Sequence, residues 1–317
     1  MTLIRDPALL LHRLELDLGL LPAAQRAAAL FPLRVPEGFV ARMRPGDADD
    51  PLLRQVLPLG AELEDAAGFS DDPVGDGAAL AAGGIIHKYR GRALLVATGA
   101  CAVHCRYCFR RHFPYAGANA SADGWEQALD YLRRHDDVSE VILSGGDPLT
   151  LSDRRLGALV GALAALPHLR RLRVHSRLPV VQPERVGEPL LDWLSGTRLL
   201  PVMVIHANHA NEIDASVANA LARLAGRRVA LFNQAVLLRG VNDTADALVA
   251  LSERLFEVGV TPYYLHQLDR VRGAAHFEVP EARARALHAA MAARLPGYLL
   301  PRLVREQAGA PAKTPLR

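Results

Sequence analysis

The three cysteines of the chain all lie within eight consecutive positions, in the stretch CAVHCRYCFRR. Cys101, Cys105 and Cys108 have the spacing C-x3-C-x2-C. Thiols this close together are more typical of a metal site than of small hydrophobic side chains in a core. Three thiolates are one ligand short of a closed tetrahedral site, so the spacing predicts a metal centre with one open position.

Two kinds of metal centre remain compatible with this loop. A structural zinc ion needs a fourth ligand, which His104 or His112 could supply. The loop is strongly cationic, however, and Arg106, Arg110 and Arg111 suit an anionic ligand better. An iron–sulfur cluster held by three thiolates would leave one iron open to a small molecule. The sequence favours the cluster and keeps zinc as the alternative.

Composition bounds the class of protein that carries this loop. The 317 residues are 50% hydrophobic and 22% charged, which allows a sizeable core. The net charge of +3 is too weak to predict a nucleic-acid or membrane surface. The N-terminus carries charges throughout, unlike a signal peptide, and no apolar run reaches the roughly 18 residues that span a bilayer. We therefore expect a cytoplasmic protein with reduced thiols and with neither nucleic acid nor membrane as a partner.

Alternating β-rich and helical runs from about residue 92 predict the elements that position the site. A polar cluster ends each predicted strand, the cysteine loop the first and SGGD the second. Side chains converging from six strand ends are typical of a barrel mouth, whereas a doubly wound sheet concentrates its site at one switch point. We therefore predict an α/β fold, a partial (β/α)6 TIM-like barrel. Strands are expected at 92–98, 140–146, 169–176, 200–207, 228–238 and 261–268, and helices at 123–135, 211–225 and 243–259.

Three regions are expected along the chain. Residues 1–90 are rich in Ala, Leu, Pro and acidic residues and are predicted to form a helical extension, with short helices at 22–35 and 50–64. The barrel is expected over 91–275. Residues 276–317 are expected to supply a C-terminal helix and a tail that closes the barrel mouth.

This arrangement resembles the radical S-adenosylmethionine (SAM) superfamily, in which a C-x3-C-x2-C loop follows the first strand of a (β/α)6 barrel. There, three cysteines hold a [4Fe–4S] cluster whose open iron binds SAM, and an electron from the cluster cleaves SAM to a 5′-deoxyadenosyl radical. The resemblance implies that Tyr107 packs against the adenine. It also implies that Ser144, Gly145, Gly146 and Asp147, the segment SGGD, meet the amino group of SAM.

From about residue 85 to the C-terminus the chain is similar to lysine 2,3-aminomutases, in segments that include HKYRGRALLVATGACAVHCRYCFRRHF, HSRLPVVQPERV, HANHANEI, PYYLHQLD and GAPAKTP. That family moves an amino group between C2 and C3 of its substrate. It uses pyridoxal 5′-phosphate (PLP), whose π-system delocalises the unpaired electron. The chain has only two lysines, and the resemblance implies that Lys313 in GAPAKTP forms the Schiff base to PLP. It places Lys88, Tyr89 and Arg92 near the PLP phosphate.

The same resemblance implies the groups that hold the substrate. Arg110 is expected to bind the α-carboxylate in a bidentate fork. Asp269 and Glu306 are expected to clamp the distal ammonium, because a pair of carboxylates rejects neutral and acidic side chains. His206 and Gln234 match contacts on the SAM side. The remaining histidines near the predicted site are interpreted as structural or supporting residues, namely His104, His112, His175, His209 and His266.

The short form of this family makes (R)-β-lysine for the modification of translation elongation factor P. Two features favour that form: the chain ends four residues after Lys313, and Glu306 is one methylene longer than the aspartate of the free-lysine enzymes. The expected partners are L-lysine, a flavodoxin- or ferredoxin-like electron donor, and, through the pathway, elongation factor P and its ligase. The alternatives are a radical SAM/PLP aminomutase for another amino acid such as glutamate, and a non-catalytic zinc-binding scaffold.

Overall fold

The computed structural model describes residues 2–118 and 125–316. The N-terminal part pairs two short antiparallel strands and surrounds them with short helices. Asp6 caps the first helix by accepting a hydrogen bond from the amide of Ala8. These elements are β1 (Leu3–Ile4), β2 (Val35–Pro36), α1 (Pro7–Arg13), α2 (Leu21–Leu30) and α3 (Glu37–Val40).

The predicted helix at 50–64 is wrong. Its place is taken by two single 3-10 turns, Leu53–Gln55 and Gly60–Leu63. Pro58 lies between them, and a proline inside a helix removes a hydrogen bond and clashes with the preceding turn.

A nine-stranded sheet forms the centre of the fold, and its strands follow one another in chain order. Seven neighbouring strands run parallel, and each edge carries one antiparallel strand. The strands are β3 (Ile85–Tyr89), β4 (Arg92–Thr98), β5 (Glu140–Gly145), β6 (Arg171–Ser176), β7 (Leu200–Ile205), β8 (Ala230–Val236), β9 (Thr261–His266), β10 (Arg302–Arg305) and β11 (Thr314–Pro315). All six predicted strands are therefore present, shorter than expected by up to two residues at an end or unchanged.

Helices connect the parallel strands and bury one face each. In the helix that leads to β8, for example, Val217, Leu221 and Leu224 are buried at helical spacing. The start of the predicted helix at 123–135 lies outside the described residues. The helices are α4 (Tyr115–Ala118), α5 (Glu126–Arg134), α6 (Asp153–Ala164), α7 (Leu178–Val181), α8 (Glu188–Ser195), α9 (Ala215–Gly226), α10 (Ala245–Glu257) and α11 (Glu281–Ala292).

The sheet is curled so that its two edges meet through side chains. Tyr89, at the end of edge strand β3, donates a hydrogen bond of 2.5 Å to Glu306, which follows β10 near the opposite edge. Within residues 2–118 and 125–316 no backbone ladder joins these edges, so the barrel is open, as predicted for a partial (β/α)6 barrel. In the described ranges no helix is long and apolar enough to cross a membrane.

The N-terminal part and the barrel share one hydrophobic core. Phe39 and Leu53 pack in the same buried cluster as Leu95 of β4 and Val174 of β6. In addition, β3, within the predicted extension, belongs to the barrel sheet. The division at residues 90 and 275 therefore stays a prediction from composition.

Candidate active site

The cysteine loop leaves the end of β4, and its three thiols are free and partly buried. Burial, together with Cys105, raises the pKa of Cys108 to about 11. Burial and the neighbouring Cys108 raise the pKa of Cys101 well above its ordinary value. Thiols that perturb one another in this way lie close together. In a [4Fe–4S] cluster each cysteine binds a different iron, so a trio of neighbouring thiols is a fitting donor set.

The zinc alternative lacks a fourth ligand. His104 hydrogen-bonds through Nδ1 to the carbonyl of Pro32, at 2.8 Å, and stacks on Phe31. His112 contacts the carbonyl of Arg272 through Nε2, at 3.3 Å. Among residues 2–118 and 125–316, no group of three or more His, Cys, Asp or Glu side chains is arranged to hold a single metal ion.

Two of the three loop arginines do not form the expected anion site. Arg106 is fully buried and binds Glu62 through both carboxylate oxygens, at 2.8 and 2.6 Å. Arg111 donates to the same carboxylate at 2.9 Å. Glu62 neutralises these cations because unpaired charges are too costly to bury. Of the three, only Arg110 remains directed towards the predicted substrate site.

The SGGD segment lies against the cysteine loop through two glycines at the end of β5. A Cβ atom on Gly146 would stand 2.3 Å from the carbonyl oxygen of Ala100, and one on Gly145 would stand 2.6 Å from that of Thr98. The amide of Gly146 donates to Thr98 across 2.7 Å. Only glycine permits this close approach, and Gly145 also has a φ of 115°. This contact places the segment that is predicted to bind SAM directly against the backbone of the cysteine loop.

Asp147 is engaged with the protein itself. Its carboxylate accepts hydrogen bonds from the hydroxyl of Ser176, at 2.8 Å, and from the amide of Arg177, also at 2.8 Å. The amides of Leu149 and Leu178 donate to it as well. A carboxylate with four protein donors fixes the end of β5 against the turn after β6. Its predicted contact with SAM stays a prediction.

A buried polar network that the sequence did not reveal contacts the cysteine loop. Arg177 donates to the Sγ atom of Cys105 at 2.6 Å, to Gln55 at 2.6 Å and to Glu212 at 3.0 Å. Tyr107 joins it, because its hydroxyl accepts a hydrogen bond of 2.7 Å from Asn208. Burial raises the pKa of Tyr107 well above its ordinary value, so this hydroxyl stays protonated.

Three neutral imidazoles line the interior. Gln234 lies 3.3 Å from Nε2 of His206 and 3.4 Å from Nδ1 of His175. Burial lowers the pKa of His206 to about 3, with further lowering by Arg177 and Arg110. Burial also lowers the pKa of His175 and His266 well below the usual value.

The Nε2 atoms of His175 and His266 are buried and have no hydrogen-bond partner among the described residues. Buried polar atoms left without partners are rare, and His175 lies beside the predicted SAM contacts His206 and Gln234. The interior therefore offers unused polar atoms where a polar cofactor or substrate is predicted.

Asp76, which the sequence did not single out, joins two predicted anion-binding residues. Its carboxylate lies 2.7 Å from Nε of Arg110 and 2.6 Å from Nζ of Lys88. Burial would raise the pKa of Asp76, but the two cations lower it below the ordinary value. Arg110 also donates to the hydroxyl of Ser144 at 3.2 Å. No partner is found for Nη2 of Arg110 within the described ranges, so one edge of its guanidinium is available to a carboxylate.

The predicted Schiff-base lysine and substrate carboxylates meet at the C-terminal tail. Lys313 donates to Oε2 of Glu306 at 2.6 Å, and Tyr89 donates to Oε1. Burial would raise the pKa of Glu306, but the ion pair with Lys313 and these hydrogen bonds lower it below its ordinary value. Burial raises the pKa of Asp269 to about 7, with Lys313 opposing the shift and Glu306 adding to it. In the described parts of the chain no donor hydrogen-bonds the Asp269 side chain.

Arg92 provides a cation for the predicted PLP phosphate. Its guanidinium stacks over the ring of Tyr89 at 4.3 Å, and no carboxylate pairs with it within the described residues. Lys88, by contrast, is already neutralised by Asp76 and donates to the carbonyl of Val74 at 2.7 Å. Arg92 is therefore the better placed of the two cations to receive a phosphate.

Comparison with known proteins agrees with this geometry. The sequence pattern of the Radical SAM superfamily matches residues 95–251. L-lysine 2,3-aminomutase of Escherichia coli (strain K12) is 48% identical over 99% of this chain and 92% of its own length. The Haemophilus influenzae protein of the same name is 47% identical over 98% and 92%. The structure of Streptococcus suis SuiB bound to S-adenosylmethionine covers 69% of this chain and 51% of its own, with a TM-score of 0.52 and 13% identity, and shows likeness of fold.

The open barrel, the cysteine loop and the superfamily match define a radical SAM enzyme. Within that class the chain belongs to the L-lysine 2,3-aminomutase family, isomerases that convert lysine to β-lysine. Membership implies a [4Fe–4S] cluster, SAM and PLP as cofactors. The predictions of fold, enzyme class and reaction are confirmed. Membership of an isomerase family argues against the alternative of a non-catalytic zinc-binding scaffold.

Proposed function

We propose that the enzyme makes (R)-β-lysine from L-lysine for the modification of translation elongation factor P, with Lys313 as its PLP-binding residue. The observation that carries the choice of lysine is the Asp269 carboxylate, which is part-buried, is influenced by Lys313 and Glu306, and has no hydrogen-bond donor in the described residues. A part-buried carboxylate without a donor is a fitting partner for a cation. The distal ammonium of lysine supplies one.

The chain's own residues orient this substrate at both ends. Arg110 presents the free edge of its guanidinium to the α-carboxylate, while its Nε atom is fixed by Asp76. Asp269 and Glu306 bind the distal ammonium. A glutamate substrate would bring a third carboxylate to this pair, and like charges in an enclosed site repel. The site therefore favours lysine over glutamate.

The cofactors fit residues on either side of the substrate. Cys101, Cys105 and Cys108 hold the cluster, and the Gly145–Gly146 turn with His206 and Gln234 receives SAM. When bound, SAM supplies the radical that removes an unactivated hydrogen, and PLP supplies the π-system that carries the unpaired electron while the amino group moves.

Residues near Lys313 prepare the PLP side. Lys313 is the residue that bonds to PLP, and Arg92 binds its phosphate, supported by Lys88 and Tyr89. The neutral imidazoles of the interior keep positive charge away from the reacting carbons, because their depressed pKa values leave them uncharged at neutral pH.

The proposal extends to the proteins that act with the enzyme and to its location. A flavodoxin- or ferredoxin-like protein supplies the electron, and a ligase uses the β-lysine. Glu306, longer than the aspartate of the free-lysine enzymes, supports the elongation factor P form. A cytoplasmic location fits three free thiols, which stay reduced there.

Anaerobic incubation of the reconstituted protein with L-lysine, SAM and dithionite tests the reaction. The expected product is (R)-β-lysine, identified by chiral chromatography, and Asp269→Asn is expected to lower kcat/KM about 10- to 100-fold because it leaves the ammonium without one partner. Cleavage of SAM without β-lysine would contradict lysine as the substrate, and turnover of L-glutamate would support the alternative. Adding elongation factor P and its ligase tests the destination of the product, and failure to label the factor would contradict it.

A further inference from the structure

Glu306 holds an ammonium group in the structure, and that group belongs to the enzyme. Nζ of Lys313 lies 2.6 Å from Oε2 of Glu306, so the ion pair occupies one of the two carboxylates proposed for the distal ammonium of the substrate. Lys313 and the substrate present the same chemical group, a primary ammonium on a flexible chain. Both cannot bind this oxygen at once.

We propose that Glu306 binds two ammonium groups in turn, first that of Lys313 and then the distal ammonium of the substrate, and that bonding of Lys313 to PLP releases the carboxylate for the substrate. The inference rests on the proposed function and adds an order of events. Glu306 thereby acts as a positioning residue for Lys313 before it acts as a specificity residue for lysine.

The chemistry of the covalent step supplies the exchange. Lys313 first gives one ammonium proton to solvent. Its nitrogen then forms a C=N bond with the aldehyde carbon of PLP, and the aldehyde oxygen leaves with two hydrogens as water. The nitrogen thus moves from Glu306 to PLP. Glu306 is then left with Tyr89 at 2.5 Å and Lys88 at 3.9 Å.

The surroundings of the Glu306–Lys313 pair favour replacement of the Lys313 ammonium by another cation. The side chain of Glu306 is only 10% exposed. Lys88 already pairs with Asp76 at 2.6 Å, so a Glu306 carboxylate that loses Lys313 needs another cation. Asp269 lies close enough to both members of the pair for each to affect its pKa. The charged and titratable groups that face the pair are Tyr89 and Lys88 from β3, Tyr264 and His266 from β9, His175 from β6, Asp269 and Asp76.

A lysine analogue without an α-amine tests the order of events. 6-Aminohexanoate carries the distal ammonium and the carboxylate but has no α-amine with which to displace Lys313 from PLP. We expect it to bind PLP-loaded protein at least tenfold more tightly than PLP-free protein, measured by calorimetry, because only loading frees Glu306. Equal affinity, or tighter binding to the PLP-free protein, would overturn the inference.

Substitution of Glu306 tests the hold on Lys313 with a readout other than turnover. In Glu306→Gln the ammonium of Lys313 loses its counter-ion, so its bond to PLP forms at lower pH. We expect the pH of half-maximal linkage, read from its absorbance and from borohydride trapping, to fall by about one unit. The KM for lysine is expected to rise at least tenfold in the same variant. A merely structural defect would weaken both the linkage to PLP and the binding of lysine. The inference instead expects linkage at lower pH together with weaker binding of lysine.

Three further variants keep the test decisive. Glu306→Asp keeps the charge with a shorter reach and is expected to restore part of both properties, and it serves if Glu306→Gln does not fold. Asp269→Asn is expected to weaken lysine binding with a much smaller change in the linkage profile. Glu281→Gln makes the same chemical change at the start of α11, where Glu281 pairs with Arg285 and Arg305, and is expected to alter neither.

The outcomes separate this inference from the proposed function. If lysine is isomerised but the linkage profile of Glu306→Gln stays with that of the native protein, the inference fails and the function stands. If the profile moves but no lysine is bound by the native protein, the proposed function fails and the alternating role fails with it.

Discussion

Arg177 donates a hydrogen bond of 2.6 Å to the Sγ atom of Cys105, although the two residues are 72 positions apart in the chain. Arg177 is 6% exposed and is held in turn by Glu212 and Gln55. The turn after β6 is therefore tied directly to a thiol of the predicted cluster. Through this contact the barrel strands fix the loop that is predicted to bind the cluster.

Removal of Arg177 is expected to destabilise the whole fold. Arg177→Ala leaves the Glu212 carboxylate, which is fully buried, without its cation. Breaking a buried ion pair from one side costs about 3–5 kcal/mol, which a urea titration of the metal-free protein measures. As a control, Arg272→Ala removes an exposed arginine paired with Asp71 and is expected to cost less than about 1 kcal/mol. Equal losses in the two variants would show that the network does not stabilise the fold.

Asp76→Asn is expected to weaken substrate binding. The neutral amide removes the charge that fixes Nε of Arg110 and balances Lys88. The KM for L-lysine is expected to rise about tenfold, since a hydrogen bond between charged groups contributes about 1.5–3 kcal/mol. Steady-state kinetics measure this change. Asp49→Asn is the matched control, because Asp49 pairs with Arg54 at the surface, and a KM as high as that of Asp76→Asn in that control would contradict the role of Asp76.

Gly146→Ala is expected to disrupt the contact between the SGGD segment and the cysteine loop. The added Cβ atom would stand 2.3 Å from a backbone oxygen, so one of the two segments must move. We expect the affinity for SAM to fall at least tenfold, measured by equilibrium dialysis on the reconstituted protein.

Gly161→Ala is the control for that substitution. Gly161 lies in α6, and an added Cβ atom meets nothing within 4 Å. An alanine there is expected to stabilise the helix by about 0.5–1 kcal/mol without changing the affinity for SAM. Unchanged SAM affinity in Gly146→Ala would show that the segment lies away from the cofactor.

The stability of the ligand-free enzyme is expected to depend on pH through Asp269. Burial raises its pKa to about 7, so the folded protein keeps a proton that the unfolded chain releases above about pH 4. The free energy of unfolding therefore falls as the pH rises from about 4 to 7 and stays low above that range. Asp269→Asn is expected to remove this fall and to be more stable than the native protein at pH 8 by on the order of 3 kcal/mol. Urea titrations from pH 5 to 8 measure it.

The control for the pH profile is Asp246→Asn, which alters an exposed carboxylate paired with Arg294 and is expected to leave the slope unchanged. Substrate binding is expected to follow the opposite course. Ionised Asp269 attracts the ammonium of lysine, so the affinity for lysine rises with pH through about 7. A native profile that matches that of Asp269→Asn would contradict the raised pKa.

Local sequence carried enough information for the barrel strands and for the metal-binding loop. A run such as 92–98 is rich in aliphatic and β-branched residues, and it forms β4 at the predicted bounds. The three thiols are neighbours in the chain, so their common site needed no tertiary information. The failure at 50–64 also has a local cause, since composition favoured a helix that Pro58 interrupts.

Long-range pairs were decided only by the tertiary structure. Arg106 and Arg111 look alike to Arg110 in the sequence, yet Glu62 binds the first two and Asp76 the third. Acidic residues in loops are common, and nothing in the local pattern marks Asp76 as buried. The one weak signal for Asp76 is its position in a Gly-rich loop shortly before β3, the first strand of the barrel sheet.

The sequence by itself thus determined the type of elements and the spacing of the cysteine loop, and through resemblance it predicts the reactive lysine. Periodicity and spacing are properties of neighbours in the chain, and they act before the fold is complete. Which carboxylate neutralises which cation depends on the curl of the sheet, which brings Tyr89 and Glu306 together from opposite edges. Charge pairing within a buried site is a property of three-dimensional distance, and only the folded chain fixes it.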